Sequence, residues 1–79
     1  MPRYFMNMYT DEPCMDPDGT DRPNVEVAVA EAERGARDVI AGDIKAGKPV
    51  HLSHRIEVVG EDGSVLRVVL FGDIMQVVP

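Results

Sequence analysis

The sequence contains one cysteine, Cys14, so it can form no intramolecular disulfide and carries no cysteine cluster typical of a structural zinc site. A single thiol in a small chain is typical of a reducing compartment, so we expect a cytoplasmic protein. The 79 residues predict a single domain over residues 1–79. A chain of this length buries only about 60–65% of its surface on folding, and without disulfide or zinc, oligomerisation is the remaining source of extra stability.

Long apolar runs are also missing. No segment approaches the roughly 20 apolar residues that cross a bilayer, and the first ten residues, "MPRYFMNMYT", have no apolar run of the kind found in signal peptides. We therefore expect no membrane association.

Basic residues are few: 8 Lys and Arg stand against 14 Asp and Glu, which gives a formal net charge of −6. This balance argues against general nucleic-acid binding, which depends on neutralising phosphates. The basic residues do concentrate in the middle of the chain, although Asp38 and Asp43 interrupt them: Arg34, Arg37, Lys45, Lys48, His51, His54 and Arg55. A solvated helix face is favoured over a nucleic-acid site, because aromatic residues able to stack on bases are scarce.

The chain alternates between strand-like and helix-like patterns. Residues 3–10 alternate as a strand, and residues 14–16 could form a short second strand that pairs back on the first. Residues 24–46 predict a long helix, with Asn24 as N-cap and Gly47 after its end. Residues 55–59 and 64–71 are rich in β-branched residues, and the Asp62-Gly63 pair between them predicts a hairpin with a type I′ turn. Residues 72–79 fit either a short helical turn or a continued strand.

This order predicts an α+β fold: a small antiparallel sheet of about four strands, in the order β-β-α-β-β, with one long helix packed on one face. Alternation assigns six apolar residues to the face that the helix leaves uncovered: Phe5, Tyr9, Val59, Val65, Val69 and Phe71. Such a face is too apolar to remain wholly in water. We therefore predict a homodimer, or a docked protein partner, through the sheet face or an edge strand.

The stretch "MDPDGTD", residues 15–21, has three aspartates and a glycine and could indicate calcium. An EF-hand loop that started at Asp16 would place Gly19 at position 4 and Val27 at position 12, so the ligand spacing fails. The sequence Pro17-Asp18-Gly19 is typical of a β-turn, and a turn is the preferred interpretation.

His51 and His54 have a spacing that can hold a metal on a helix, but Pro49 argues against a helix there. Further metal ligands would have to come from Cys14 or elsewhere in the acidic loop of residues 11–23. Two surface histidines without a metal are therefore the preferred interpretation. Cys14 lies between Glu12 and Asp16, with no cationic neighbour to favour a thiolate, and is predicted to be a half-buried structural residue. We therefore expect no catalytic residues, no cofactor and no metal.

Gly35 and Gly42 lie inside the predicted helix, where each costs about 1 kcal/mol relative to alanine. They could allow another element to approach closely, or they could simply be tolerated. The second interpretation is favoured.

An ordered set of segments resembles a known family: "MPRYF", "DPDG" before "DRPNVEVA", the helix "AEAERGARDVIAGDIKAGKP" and "IEVVGEDGSVLRVVLF". Together they are similar to a family of short bacterial proteins catalogued as a domain of unknown function. The resemblance covers nearly the whole chain, to about residue 74, although "DEPC" departs from the family's usual first turn. It implies the fold predicted above and implies no activity.

Two functions follow as expectations. The first is a small acidic, non-enzymatic protein-interaction module that dimerises through its sheet. The alternative is an antitoxin-like regulatory domain that binds a protein partner and possibly nucleic acid. The alternative rests on a loose similarity of element order to small antitoxins of the HicB type, and topology alone does not carry function.

Overall fold

The computed structural model describes residues 2–79 and contains one helix and a four-stranded antiparallel sheet. The elements in chain order are β1 (Arg3–Tyr9), β2 (Thr20–Asp21), α1 (Val25–Lys45), β3 (Arg55–Val59) and β4 (Val65–Leu70). The strands are ordered β2-β1-β3-β4 across the sheet, and α1 packs on one face. The predicted α+β fold and element order are confirmed.

Helix α1 begins and ends where local chemistry predicts. The Asn24 side chain accepts a hydrogen bond from the Val27 backbone N–H at 3.0 Å, which satisfies one of the donors left free in the first turn. After the helix, Gly47 adopts a φ of +73°, and its N–H donates to the Ile44 carbonyl. The left-handed backbone at Gly47 ends the helix, and glycine adopts it without the strain that a side chain would cause.

The core lies between α1 and the covered face of the sheet. Residues on one stripe of the helix, four positions apart, are buried: Ala28, Ala32, Ala36 and Ile40. Because three of the four are alanine, the helix backbone can lie close to the sheet, which contributes larger buried side chains: Tyr4, Ile56, Val58, Val69 and Phe71. Ile44 continues the apolar pattern of the helix in the sequence, but it is exposed in the last turn.

The second strand lies later than predicted. Cys14 forms one isolated bridge with Met8, through two backbone hydrogen bonds of 2.9 Å, and the strand pairing with β1 comes at residues 20–21. Residues 14–16 do not continue as a strand, because Pro17 has no N–H and the Asp16 N–H donates to the Asn7 side chain instead of to a β1 carbonyl.

The hairpin between β3 and β4 is confirmed, but its turn is not type I′. That turn would need a positive φ at Asp62, and no residue other than glycine has one within residues 2–79. Instead the Gly63 N–H donates to the Gly60 carbonyl. Within this turn, only Gly63 has a positive φ, of +85°. This is a tight turn followed by a left-handed glycine, a common longer hairpin loop.

After β4 the chain forms a short 3₁₀ helix, Phe71–Asp73, and then continues without regular structure. Residues 72 and 73 thus belong to a short helical turn, whereas residues 74–79, including Ile74, Val77 and Val78, form neither a helical turn nor a strand. Ile74 and Met75 pack against the core, whereas Val77 and Val78 are exposed. Within residues 2–79, no helix has the length and apolar character needed to cross a bilayer.

Candidate functional site: the uncovered face of the sheet

The face of the sheet opposite α1 consists of three rows of side chains across β1, β3 and β4. Residues paired across strands lie side by side on one face, and alternate residues of a strand lie on opposite faces. Since Met8, Ile56 and Val69 face the helix, the uncovered rows are Phe5–Val59–Val65, Asn7–Glu57–Val68 and Tyr9–Arg55–Leu70.

Four of the six predicted surface residues lie on this uncovered face: Phe5, Tyr9, Val59 and Val65. Val59 is largely buried between its neighbours, whereas Val65 is 50% exposed. Val68, also 50% exposed, and the half-buried Leu70 share this face, although alternation along the sequence assigns them to the other one.

The prediction is wrong for Val69 and Phe71, which belong to the core under the helix. The reason is a shift in the pairing of β3 with β4. Val58 pairs with Arg67, but the next residue, Val59, pairs with Val65, so Leu66 is an extra residue in β4. A bulge of this kind reverses the alternation, so residues before and after it exchange faces. Simple alternation along β4 therefore assigns its second half to the wrong face.

The polar groups on this face neutralise one another. The Arg55 Nε atom donates to the Glu57 carboxylate at 3.0 Å, and the Arg55 guanidinium carbon lies 4.3 Å from the centroid of the Tyr9 ring. A guanidinium over an aromatic face is held by cation–π attraction as well as by the ion pair. The face therefore carries no net charge, although the chain as a whole carries −6.

Strand β4 forms one edge of the sheet, but features of this edge oppose pairing with another strand. The bulge at Leu66 interrupts the regular ladder, and Arg67 adds an exposed charge in the middle of the strand. Bulges and charged side chains are common protections of edge strands. The face is therefore the better candidate for association than the edge.

The acidic stretch "MDPDGTD" forms a turn, as predicted. The Asp16 carboxylate accepts hydrogen bonds from the backbone N–H groups of Met6, Asp18 and Gly19, at 3.2, 3.3 and 3.0 Å. These bonds use the carboxylate to close the loop and to attach it to β1.

Both histidines lie beside a groove that the sequence did not reveal. The loop after β1 brings Asp11 to them: one carboxylate oxygen is 4.0 Å from the His51 Nε2 atom, and the other is 3.5 Å from the His54 Nε2 atom. The groove has a volume of about 370 Å³ and is also lined by Glu12, Asp43 and Lys48.

The remaining candidate residues are dispersed. Cys14 is exposed, not half-buried as predicted. Of the basic residues, Arg34 and Arg37 are exposed on the helix, whereas Arg55 lies on the opposite side of the molecule, on the uncovered sheet face. Arg55 is therefore separated from the basic residues of the helix, whereas Lys48, His51 and His54 lie together at the groove.

Comparison with known families shows that residues 3–72 match the model of one family, described as a domain of unknown function (DUF6894). The match covers most of the chain, so the chain belongs to this family. No curated protein and no solved structure matches it.

Proposed function

We propose that this member of the DUF6894 family is a bacterial, cytosolic interaction module, not an enzyme, and that it forms a homodimer through the uncovered face of its sheet. The observation that carries the proposal is the apolar character of that face. Val65 is half exposed in the row that also contains Phe5 and Val59, and Val68 is half exposed in the next row, beside Glu57. Burying such side chains is worth about 25 cal/mol per Å² of apolar surface.

The charge distribution favours a second copy of the chain as the occupant. Two chains of net charge −6 repel each other, and that repulsion is smallest where the approaching surfaces are neutral. The uncovered face meets this condition, since Arg55 is paired with Glu57 and, in the row before Phe5, Arg3 is paired with Asp21.

The exposed area supports the same proposal. A globular chain of 8.7 kDa is expected to expose about 4,700 Å², whereas this chain exposes 5235 Å². The exposed last residues and the half-exposed Val65 and Val68 of the sheet face all contribute to this excess of about 500 Å².

The test is the mass of the untagged protein in solution, measured by light scattering or sedimentation over a range of micromolar concentrations. We expect a dimer, and we expect Val68→Lys to weaken association at least tenfold (about 1.4 kcal/mol). Glu57 beside it is already paired with Arg55, so the substitution adds an uncompensated positive charge to each of the two facing copies. Val68 is exposed in the single chain, so the substitution should leave the fold intact.

Ile44→Lys is the matched control. It makes the same change of charge at another exposed aliphatic residue, in the last turn of the helix and away from the sheet face. This variant should dimerise like the unchanged protein. A wild-type monomer at high micromolar concentration, or a Val68→Lys variant that dimerises normally, would contradict the proposal.

The antitoxin-like alternative has less support. A nucleic-acid site would require the basic residues to form one continuous surface. Arg55 lies on the sheet face away from the helix that carries Arg34 and Arg37, and the carboxylates of Asp11, Glu12 and Asp43 lie among the other basic residues at the groove. The homodimer is therefore the function proposed.

A further inference from the structure

We propose that Asp11, His51 and His54 bind one divalent transition-metal ion of the zinc class, which links the loop after β1 to the loop before β3. These residues are far apart in the sequence, but each presents one potential ligand atom, and the three atoms lie within 4.8 Å of one another. The site is separate from the uncovered sheet face and does not depend on the proposed dimer.

The distances are close to those that a tetrahedral ion requires. With metal–ligand bonds of about 2.0–2.1 Å, two ligands of one tetrahedral ion are about 3.3 Å apart. The His54 Nε2 atom lies 3.5 Å from its Asp11 oxygen, and the His51 Nε2 atom lies 4.0 Å from the other oxygen. Small rotations of Asp11 and His51 would bring all three ligands to bonding distance, and both side chains are free to move, with 84% and 46% of their side-chain surface exposed.

His54 provides the fixed part of the site. Its side chain is only 16% exposed and packs edge-on against Phe71, with the ring centroids 5.8 Å apart. Its backbone N–H donates to the His51 carbonyl, and its own carbonyl accepts from the Phe71 N–H at 2.8 Å. One ligand is therefore positioned in advance by the core, which reduces the entropy lost when an ion binds.

The surroundings favour a cation. The groove brings the carboxylates of Asp11, Glu12 and Asp43 together with a single ammonium group, that of Lys48. With both imidazoles neutral, as metal binding requires, the groove has an excess of negative charge. Glu12 and Asp43 line the same groove and could orient a water in the fourth position, or the histidine ligands.

The ligand types indicate which metals would bind. Two imidazole nitrogens and one carboxylate suit zinc and its neighbours among the first-row transition metals, whereas calcium and magnesium prefer oxygen ligands throughout. Three protein ligands leave a fourth position open to solvent in the groove. The sequence offered the acidic loop as a source of further ligands but favoured two surface histidines without a metal; the structure brings Asp11 of that loop to both histidines.

The test uses the untagged full-length protein and zinc chloride, with binding measured by calorimetry and by the chemical shifts of the imidazole C–H protons. We expect one ion per chain, shifts at both histidines, and binding that weakens as the pH falls, because protons compete for the imidazole nitrogens. Asp11→Asn and His51→Asn should each weaken binding at least about tenfold, since each removes one of three ligands. Both side chains are exposed, so the fold should survive.

Asp38→Asn, which removes the same charge from an exposed helix residue, and Cys14→Ser, which removes the exposed thiol, should both bind zinc like the unchanged protein. Retention of full affinity by both groove variants, loss of binding in Cys14→Ser, or one ion per two chains would each overturn the site. Absence of any stoichiometric binding would overturn it as well.

Discussion

Gly19 occupies a position where both the backbone and the surrounding space require glycine. Its φ is +69°, in the left-handed region, and a Cβ atom placed there would lie 2.8 Å from the Arg3 Cγ atom and 2.9 Å from the Tyr4 carbonyl oxygen. The second contact involves backbone of β1, which cannot move without disturbing the sheet. The turn that follows Asp16 therefore depends on a glycine as well as on the Asp16 carboxylate.

Gly19→Ala should lower the free energy of unfolding by about 2–5 kcal/mol, because it adds left-handed strain of about 1–2 kcal/mol to steric overlap of about 1–3 kcal/mol. Gly63→Ala is the control, since Gly63 has a similar φ of +85° but no atom near the added Cβ. That change should cost only the strain, about 1–2 kcal/mol. Urea denaturation measures both losses, and equal losses would show that the contact with β1 is unimportant.

At the scale of single elements, the two glycines inside α1 make no close approach. A Cβ atom added at Gly35 or Gly42 would meet nothing within 4 Å, whereas the buried side of the helix is formed by alanines and one isoleucine. The interpretation that these glycines are tolerated is confirmed within the single chain. They weaken the helix without serving its packing.

Gly35→Ala and Gly42→Ala should therefore each raise the free energy of unfolding by about 0.5–1 kcal/mol, mainly because alanine loses less backbone entropy on folding. The two effects should add, since the residues are two turns apart. Ala41→Gly, at an exposed position of the same helix, should produce the opposite change of about 1 kcal/mol. Thermal or urea unfolding measures all three. A loss of stability in Gly35→Ala would indicate a contact that the single chain does not contain.

At the scale of the whole molecule, ion pairs and hydrogen bonds at the sheet margins link stability to pH. Arg3 donates to the Asp21 carboxylate at 3.0 Å, and this hydrogen bond holds the pKa of Asp21 below its ordinary value. In the turn between β3 and β4, hydrogen bonds from the Ser64 hydroxyl and N–H lower the pKa of Asp62. Both carboxylates are more acidic in the folded chain than in the unfolded chain.

A group whose pKa is lowered by folding contributes stability above its unfolded pKa, and this contribution is lost as the pH falls through the folded value. We therefore expect the stabilisation from Asp21 to be complete above the ordinary aspartate pKa of about 3.9 and to disappear in stronger acid. Urea denaturation between neutral pH and about pH 3 should show that Asp21→Asn differs most from the unchanged protein near neutrality. A difference that stayed constant across this range would contradict the linkage.

The sequence was sufficient wherever the determining interaction is local. Asn24 and Gly47 mark the helix ends because capping hydrogen bonds join residues within one turn. Strand β3 was predicted with its observed bounds, because both its β-rich composition and the following glycine-containing turn lie in adjacent residues. The turn at residues 16–19 was predictable for the same reason.

Only the tertiary structure decided which side chains share a surface. Val69 and Phe71 face the helix because the bulge at Leu66 reverses the alternation of β4, and a bulge depends on pairing with β3, not on β4 alone. Asp11 meets His51 and His54 because the β1–β3 pairing brings two distant loops to the same end of the sheet. Short-range chemistry therefore determined the elements of this protein, and the register between strands determined its apolar face and its groove.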